Sequence, residues 1–135
     1  MEINGLVNKL LMSTNLDINQ AFIIVNIIHV IIVAGLFFVI GSMKDMTPSW
    51  IIIVLAMISL LLPIITGLPN MKIMSIRTYI RILHIFISIA LIVFSIAFFK
   101  NRKNISQELY SSFTGIALVV FVYHAYKIIL RVQKL

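Results

Sequence analysis

The sequence predicts an all-α, polytopic membrane protein: one integral domain over residues 1–135, folded as an up-down bundle of four transmembrane helices. Three observations carry this. The chain is 61% hydrophobic and 11% charged, with a mean hydropathy of +1.13, more apolar surface than a soluble core of 135 residues can hide. The apolar residues fall in four runs, each near the length that crosses a bilayer, with most of the charge at their ends. Within the runs, polar residues recur at steps of three and four, which places them on one face of a helix.

In chain order, residues 1–19 are mixed. Leu6, Val7, Leu10, Leu11 and Met12 have the spacing of a short amphipathic segment lying along a membrane surface. Little positive charge precedes the apolar run and no small-x-small site follows it, so a cleaved signal peptide is not expected. Asp17 followed by Gln20 reads as a capping box that starts the first helix. The first span is expected at about 21–40, with Ala34 and Gly35 allowing a neighbouring helix to approach closely. Thr47 as N-cap and Pro48 at the first helical position open a second span at about 50–68, with Trp50 at the interface. Within it, Pro63 should kink the helix and free the carbonyl of Ser59, which a neighbour or water must satisfy, and Gly67 and Pro69 end it. The third span is expected at about 78–99 and the fourth, capped by Asn104 or Ser106, at about 110–130.

Orientation follows from the basic residues. Lys9, Lys72, Arg77, Arg81, Lys127, Arg131 and Lys134 fall on the side of the termini, against Lys44, Lys100, Arg102 and Lys103 on the other. That asymmetry predicts a multi-pass protein of the cell membrane with both termini in the cytoplasm. The net charge of +7 then serves topology and attraction to anionic lipids at the basic face, not nucleic-acid binding. The absence of cysteine excludes disulfides, thiolate metal sites and cysteine nucleophiles. The four carboxylates, Glu2, Asp17, Asp45 and Glu108, lie outside the apolar runs, which argues against a paired-carboxylate site. No catalytic residue is identified, and whether the chain is an enzyme is left open.

The candidate site comes from the polar stripes. Arg77, Arg81, His84 and Ser88 share one face of the third helix; His124, Lys127, Arg131 and Lys134 share one face of the fourth. Asn15, Asn19, Asn26 and His29 form the corresponding stripe of the first. From the helical rise, His29, His84 and His124 lie about 12, 9 and 10 Å inside the cytoplasmic ends of their spans. Intramembrane imidazoles need hydrogen-bond partners or a metal. The stripes suggest a cytoplasm-facing polar funnel, with the histidines at its floor and Arg77, Arg81, Lys127 and Arg131 at its mouth.

The sharp reading is haem b. His29 and His84, on helices that are diagonal in an up-down bundle, would be the axial pair and metal ligands. His124 would be a neighbour that bonds or handles protons, and the cations Arg81 and Lys127 would hold the propionates. The bland reading is equally physical. The cations snorkel and set topology, and the asparagines bond across helices as glue. The histidines are then structural too.

His29 followed by Ala34-Gly35 in the first helix, with His84 in the third, resembles small four-helix bacterial membrane proteins of the b-type cytochrome and copper-resistance-D-like kind. The resemblance implies haem handling or electron transfer, with a quinone as redox partner. The stretch Leu36–Lys44 contains neither the Trp nor the Arg that porphyrin-handling members of that group show after the first histidine. Three functions are therefore expected. One is a haem-binding electron-transfer or haem-handling protein; another is a non-enzymatic accessory, partner-binding or immunity-type protein that binds other membrane proteins. The third is a small transporter or channel using the funnel.

Overall fold

The computed structural model describes residues 13–66 and 71–135. Among them there are four long helices and no strand: α1 Ile18–Met43, α2 Ser49–Thr66, α3 Ile76–Asn101 and α4 Gln107–Val132. Short 3-10 turns, Lys44–Met46 and Arg102–Asn104, follow α1 and α3. Three helices, α1, α3 and α4, are long and apolar enough to cross a membrane; α2 is shorter but also apolar. At 18 residues it spans about 27 Å, just under the hydrocarbon thickness of a typical bilayer. The amphipathic reading of 1–19 falls mostly, and the Gly67–Pro69 stop wholly, outside the described residues.

Local chemistry accounts for the helix ends. Asp17 and Gln20 make the capping box: the Asp17 N–H donates to Gln20 Oε1, and Asp17 Oδ2 accepts from the Asn19 N–H, both at 3.2 Å. Ser106, not Asn104, caps α4, its Oγ accepting from the Leu109 N–H at 3.2 Å. Ser75 does the same for α3 by accepting from Thr78 N. Thr47 does something different from the capping role expected of it. Its hydroxyl donates to the Lys44 carbonyl at 2.6 Å, closing a turn in which Lys44 adopts a φ of 54°. A lysine tolerates that left-handed backbone only where its surroundings hold it, and the fully buried Thr47 is part of that hold.

The chain divides into two compact units, Met1–Ser42 with Ser111–Leu135, and Met43–Tyr110. The first contains α1 and most of α4, which run antiparallel: Asn19 bonds Arg131, His29 meets His124 and Phe37 stacks on Phe113 at 5.7 Å. Their closest approach is at Gly41, where an added Cβ would stand 2.7 Å from the Thr114 nitrogen and nearer still to its hydroxyl. The expected position, Gly35, has open space instead. The reason is helical phase: Gly41 is two turns beyond the buried Ala34 and on its face, whereas Gly35 is rotated about 100° away.

The second unit is built on the α2–α3 hairpin. Ile52, Leu55, Leu91, Phe94 and Phe98 are buried, and the carbonyl that Pro63 deprives of its helical donor has a partner. Ser59 O accepts from Ser88 Oγ at 2.6 Å, as the proline rule requires. In both units most of the large apolar side chains on the outer helix faces are exposed, Ile31, Val25, Phe86, Val93 and Val119 among them. That is the surface a lipid-embedded chain presents.

Candidate functional site

In the first unit the polar residues of α1 and α4 meet as a ladder. Asn19, Phe22, Asn26 and His29 descend one face of α1 at steps of three and four, and Arg131, Lys127 and His124 descend the facing side of α4. At the outer rung Arg131 Nη1 donates to Asn19 Oδ1 at 3.0 Å. The Arg131 guanidinium lies 4.5 Å from the centre of the Phe22 ring, and Lys127 Nζ lies 5.3 Å from that same centre and 5.4 Å from the Tyr123 ring. Two cations thus converge on one phenyl ring, whose negative face attracts both. They sit a single turn apart, where like charges repel.

One step deeper, His29 and His124 touch, with ring centres 4.8 Å apart and planes tilted by 50°. His124 is buried, meets the Tyr123 ring edge-on and donates from Nδ1 to the Val120 carbonyl at 2.8 Å. A carbonyl can only accept, so in the neutral ring Nδ1 carries the proton and Nε2 the lone pair. Asn26, also buried, turns back on its own helix and donates to the Phe22 carbonyl at 2.7 Å.

The second unit holds the other expected residues. His84 Nδ1 donates to the Ile80 carbonyl at 2.7 Å, fixing the same tautomer. Arg81 is half-buried and Arg77 exposed. Ser88, at the buried foot of this stripe, bonds the carbonyls of His84 and Ser59. Of the residues expected to form one site, the structure places His29 against His124 with Lys127 a turn away, in the first unit. His84 and Arg81 belong to the second. A contact pair at 4.8 Å leaves no room for a porphyrin plane between its rings, so His29 and His124 as they stand are not opposite axial ligands of a haem.

One constellation has no counterpart in the sequence reading. Arg102, counted there only as a topology charge, reaches back across the second unit. It donates to Thr47 O at 3.3 Å and Ser49 Oγ at 3.1 Å, lies 4.6 Å from the Phe98 ring centre, and its own carbonyl accepts from Tyr110 at 2.9 Å. Thr47, Phe98 and Tyr110 are at most 1% exposed. The bonds cross more than fifty residues of sequence, so no local pattern announces them.

Among the described residues no group of three or more His, Cys, Asp or Glu is placed to hold a metal ion. No protein-family model, curated protein or solved structure significantly matches the chain.

Proposed function

We propose that the chain is a non-enzymatic, accessory-type integral membrane protein. It would cross the cytoplasmic membrane four times with both termini inside and work by presenting apolar helix faces to other membrane helices. One observation carries this reading: the polar side chains tie helices to one another within each unit. Ser88 bonds Ser59 O, Arg131 bonds Asn19, and Arg102 bonds Thr47 and Ser49. Among the described residues no buried side-chain nitrogen or oxygen lacks a partner. Polar residues used in this way are the glue of a membrane bundle. The orientation rests on the Lys/Arg asymmetry.

A second reading keeps haem b, with His29 and His84 as axial ligands and a quinone as redox partner. It is favoured by the His84 tautomer, since an Nδ1–H held by a backbone carbonyl leaves Nε2 as the donor atom a metal takes. The third, a proton or anion pathway through a cytoplasmic funnel, has only the cation-lined stripes behind it.

The visible spectrum of detergent-purified protein, with and without added haem, tests the choice. The accessory reading expects no Soret band, and His29→Ala, His84→Ala and His124→Ala then change only thermal stability. A low-spin b spectrum lost in His29→Ala and His84→Ala, but kept in His124→Ala, would replace it with the haem reading. The absence of cysteine makes topology directly readable. Ser42→Cys and Asn104→Cys should label from outside, and Asn70→Cys should not.

A further inference from the structure

We infer that residues 71–76, which lead into α3, form an interfacial foot: they lie in the headgroup layer of the bilayer and fix the depth of the α2–α3 hairpin. Met71, Ile73, Met74 and Ile76 in this stretch are large, apolar and exposed. The stretch is also a built turn. The Ile73 carbonyl accepts from the Ser75 N–H at 3.0 Å and from the Thr78 hydroxyl at 2.7 Å, and Thr78 is buried. Ser75 in turn accepts from the Thr78 N–H. Ile73 is thus folded back toward the first turn of α3, with the apolar side chains around it displayed outward. In water such a display would be costly.

What covers it follows from depth. Within this unit Ser88 Oγ bonds Ser59 O, so the two serines mark one level of the hairpin. Trp50 on α2 and Tyr79 on α3 are both exposed. They stand on opposite sides of that level, each at a helical rise of about 13.5 Å from its serine. Exposed Trp and Tyr about 27 Å apart fit the two interfacial belts of a hydrocarbon layer about 30 Å thick. Ile76 begins α3 about 18 Å from the serine level, past Tyr79 and within the headgroup layer, whose outer limit is about 20–22 Å from the midplane. Arg77, exposed beside it, suits the anionic headgroups of that layer. By contrast α2 has no charge with which to fix its own depth, since Ser49–Thr66 contains none. Trp50 anchors the hairpin at one end, and the foot anchors it at the other.

The inference rests on the membrane insertion proposed above, not on the accessory role. The cysteine-free chain takes single labels: an environment-sensitive fluorophore on Ile73→Cys, Ile89→Cys or Asn104→Cys, in mixed phosphatidylcholine and phosphatidylglycerol vesicles. All three positions are exposed, so the fold should tolerate the label. Each is read against aqueous iodide and against lipids carrying a nitroxide at the headgroup or deep in the chain. The Ile73 label should be quenched most by the headgroup nitroxide, and several-fold less by iodide than the Asn104 label. Adding Met74→Asp/Ile76→Asp should move it into water and raise its iodide quenching to the Asn104 level. Aspartate is favoured in the first turn of a helix, so α3 should persist. Equal iodide quenching at Ile73 and Asn104 without those changes would overturn the foot, as would a label that stays at headgroup level with them. Protection from iodide and from both nitroxides would also overturn it, by placing a protein surface over the turn. The Ile89 label, one residue from the serine level, should be quenched by the deep nitroxide. If no lipid nitroxide reaches it, the membrane reading beneath the foot fails instead.

Discussion

Two arginines in this chain sit on phenylalanine rings at nearly the same distance, Arg131 over Phe22 at 4.5 Å and Arg102 over Phe98 at 4.6 Å, yet their surroundings differ. Arg102 has two hydrogen-bond acceptors, the Thr47 carbonyl just before α2 and the Ser49 hydroxyl at its first residue, a fully buried tyrosine on its own carbonyl and, among the described residues, no second cation on its ring. Arg131 has one side-chain amide, and shares its ring with Lys127. The first arrangement closes on itself, so its charge serves the fold. The second places two like charges on one ring a single turn apart, so attraction to the ring and mutual repulsion offset each other.

The largest expected effect tests the brace. Arg102→Ala removes two charge-assisted bonds and a cation–aromatic contact, and should cost about 2–3 kcal/mol, read as a drop in thermal midpoint in detergent. Tyr110→Phe, which deletes only the bond to the Arg102 carbonyl, should cost about 1–1.5 kcal/mol by the same measurement. If both variants melt like wild type, Arg102 is a topology charge after all and the contrast with Arg131 collapses.

How far the sequence announces these features depends on their range. Caps at Asp17, Gln20 and Ser106 are legible because they act within three residues. The Ser59 carbonyl is legible because proline chemistry dictates it, although only the structure names Ser88 as the donor. Helix phase and crossing are not legible, so the sequence points to Gly35 where Gly41 makes the close approach. The meeting of His29 with His124 is of the same kind: equal depth can be read from helical rise, but adjacency needs to know which helices pair. The Arg102 brace is the extreme case, since a basic run after a span always reads as topology.

Next in size is Ser88→Ala. It leaves the Ser59 carbonyl without its side-chain donor, at an expected cost of about 0.6–1.5 kcal/mol, the range for interhelical bonds in membranes. Hydrogen exchange should quicken around residues 59–63 and not around α1. Unchanged exchange there would mean that Ser88 serves only its own helix through the His84 carbonyl.

The smallest stability effect is expected at Arg131, and that smallness is what the contrast demands. Arg131→Gln keeps a donor for Asn19 Oδ1 while removing the charge, so the neutral bond can persist and the repulsion with Lys127 disappears. Loss of the attraction to Phe22 opposes that relief, and both terms are about 0.5 kcal/mol at a half-exposed position. The thermal midpoint in neutral detergent should therefore move by a few tenths of a kcal/mol at most, in either direction. The informative quantity is the difference from Arg102→Ala in the same detergent, because Arg102 loses two bonds with its charge while Arg131→Gln can keep its one. A midpoint that falls as far as for Arg102→Ala would make the two arginines alike and turn the α1–α4 end into a second brace.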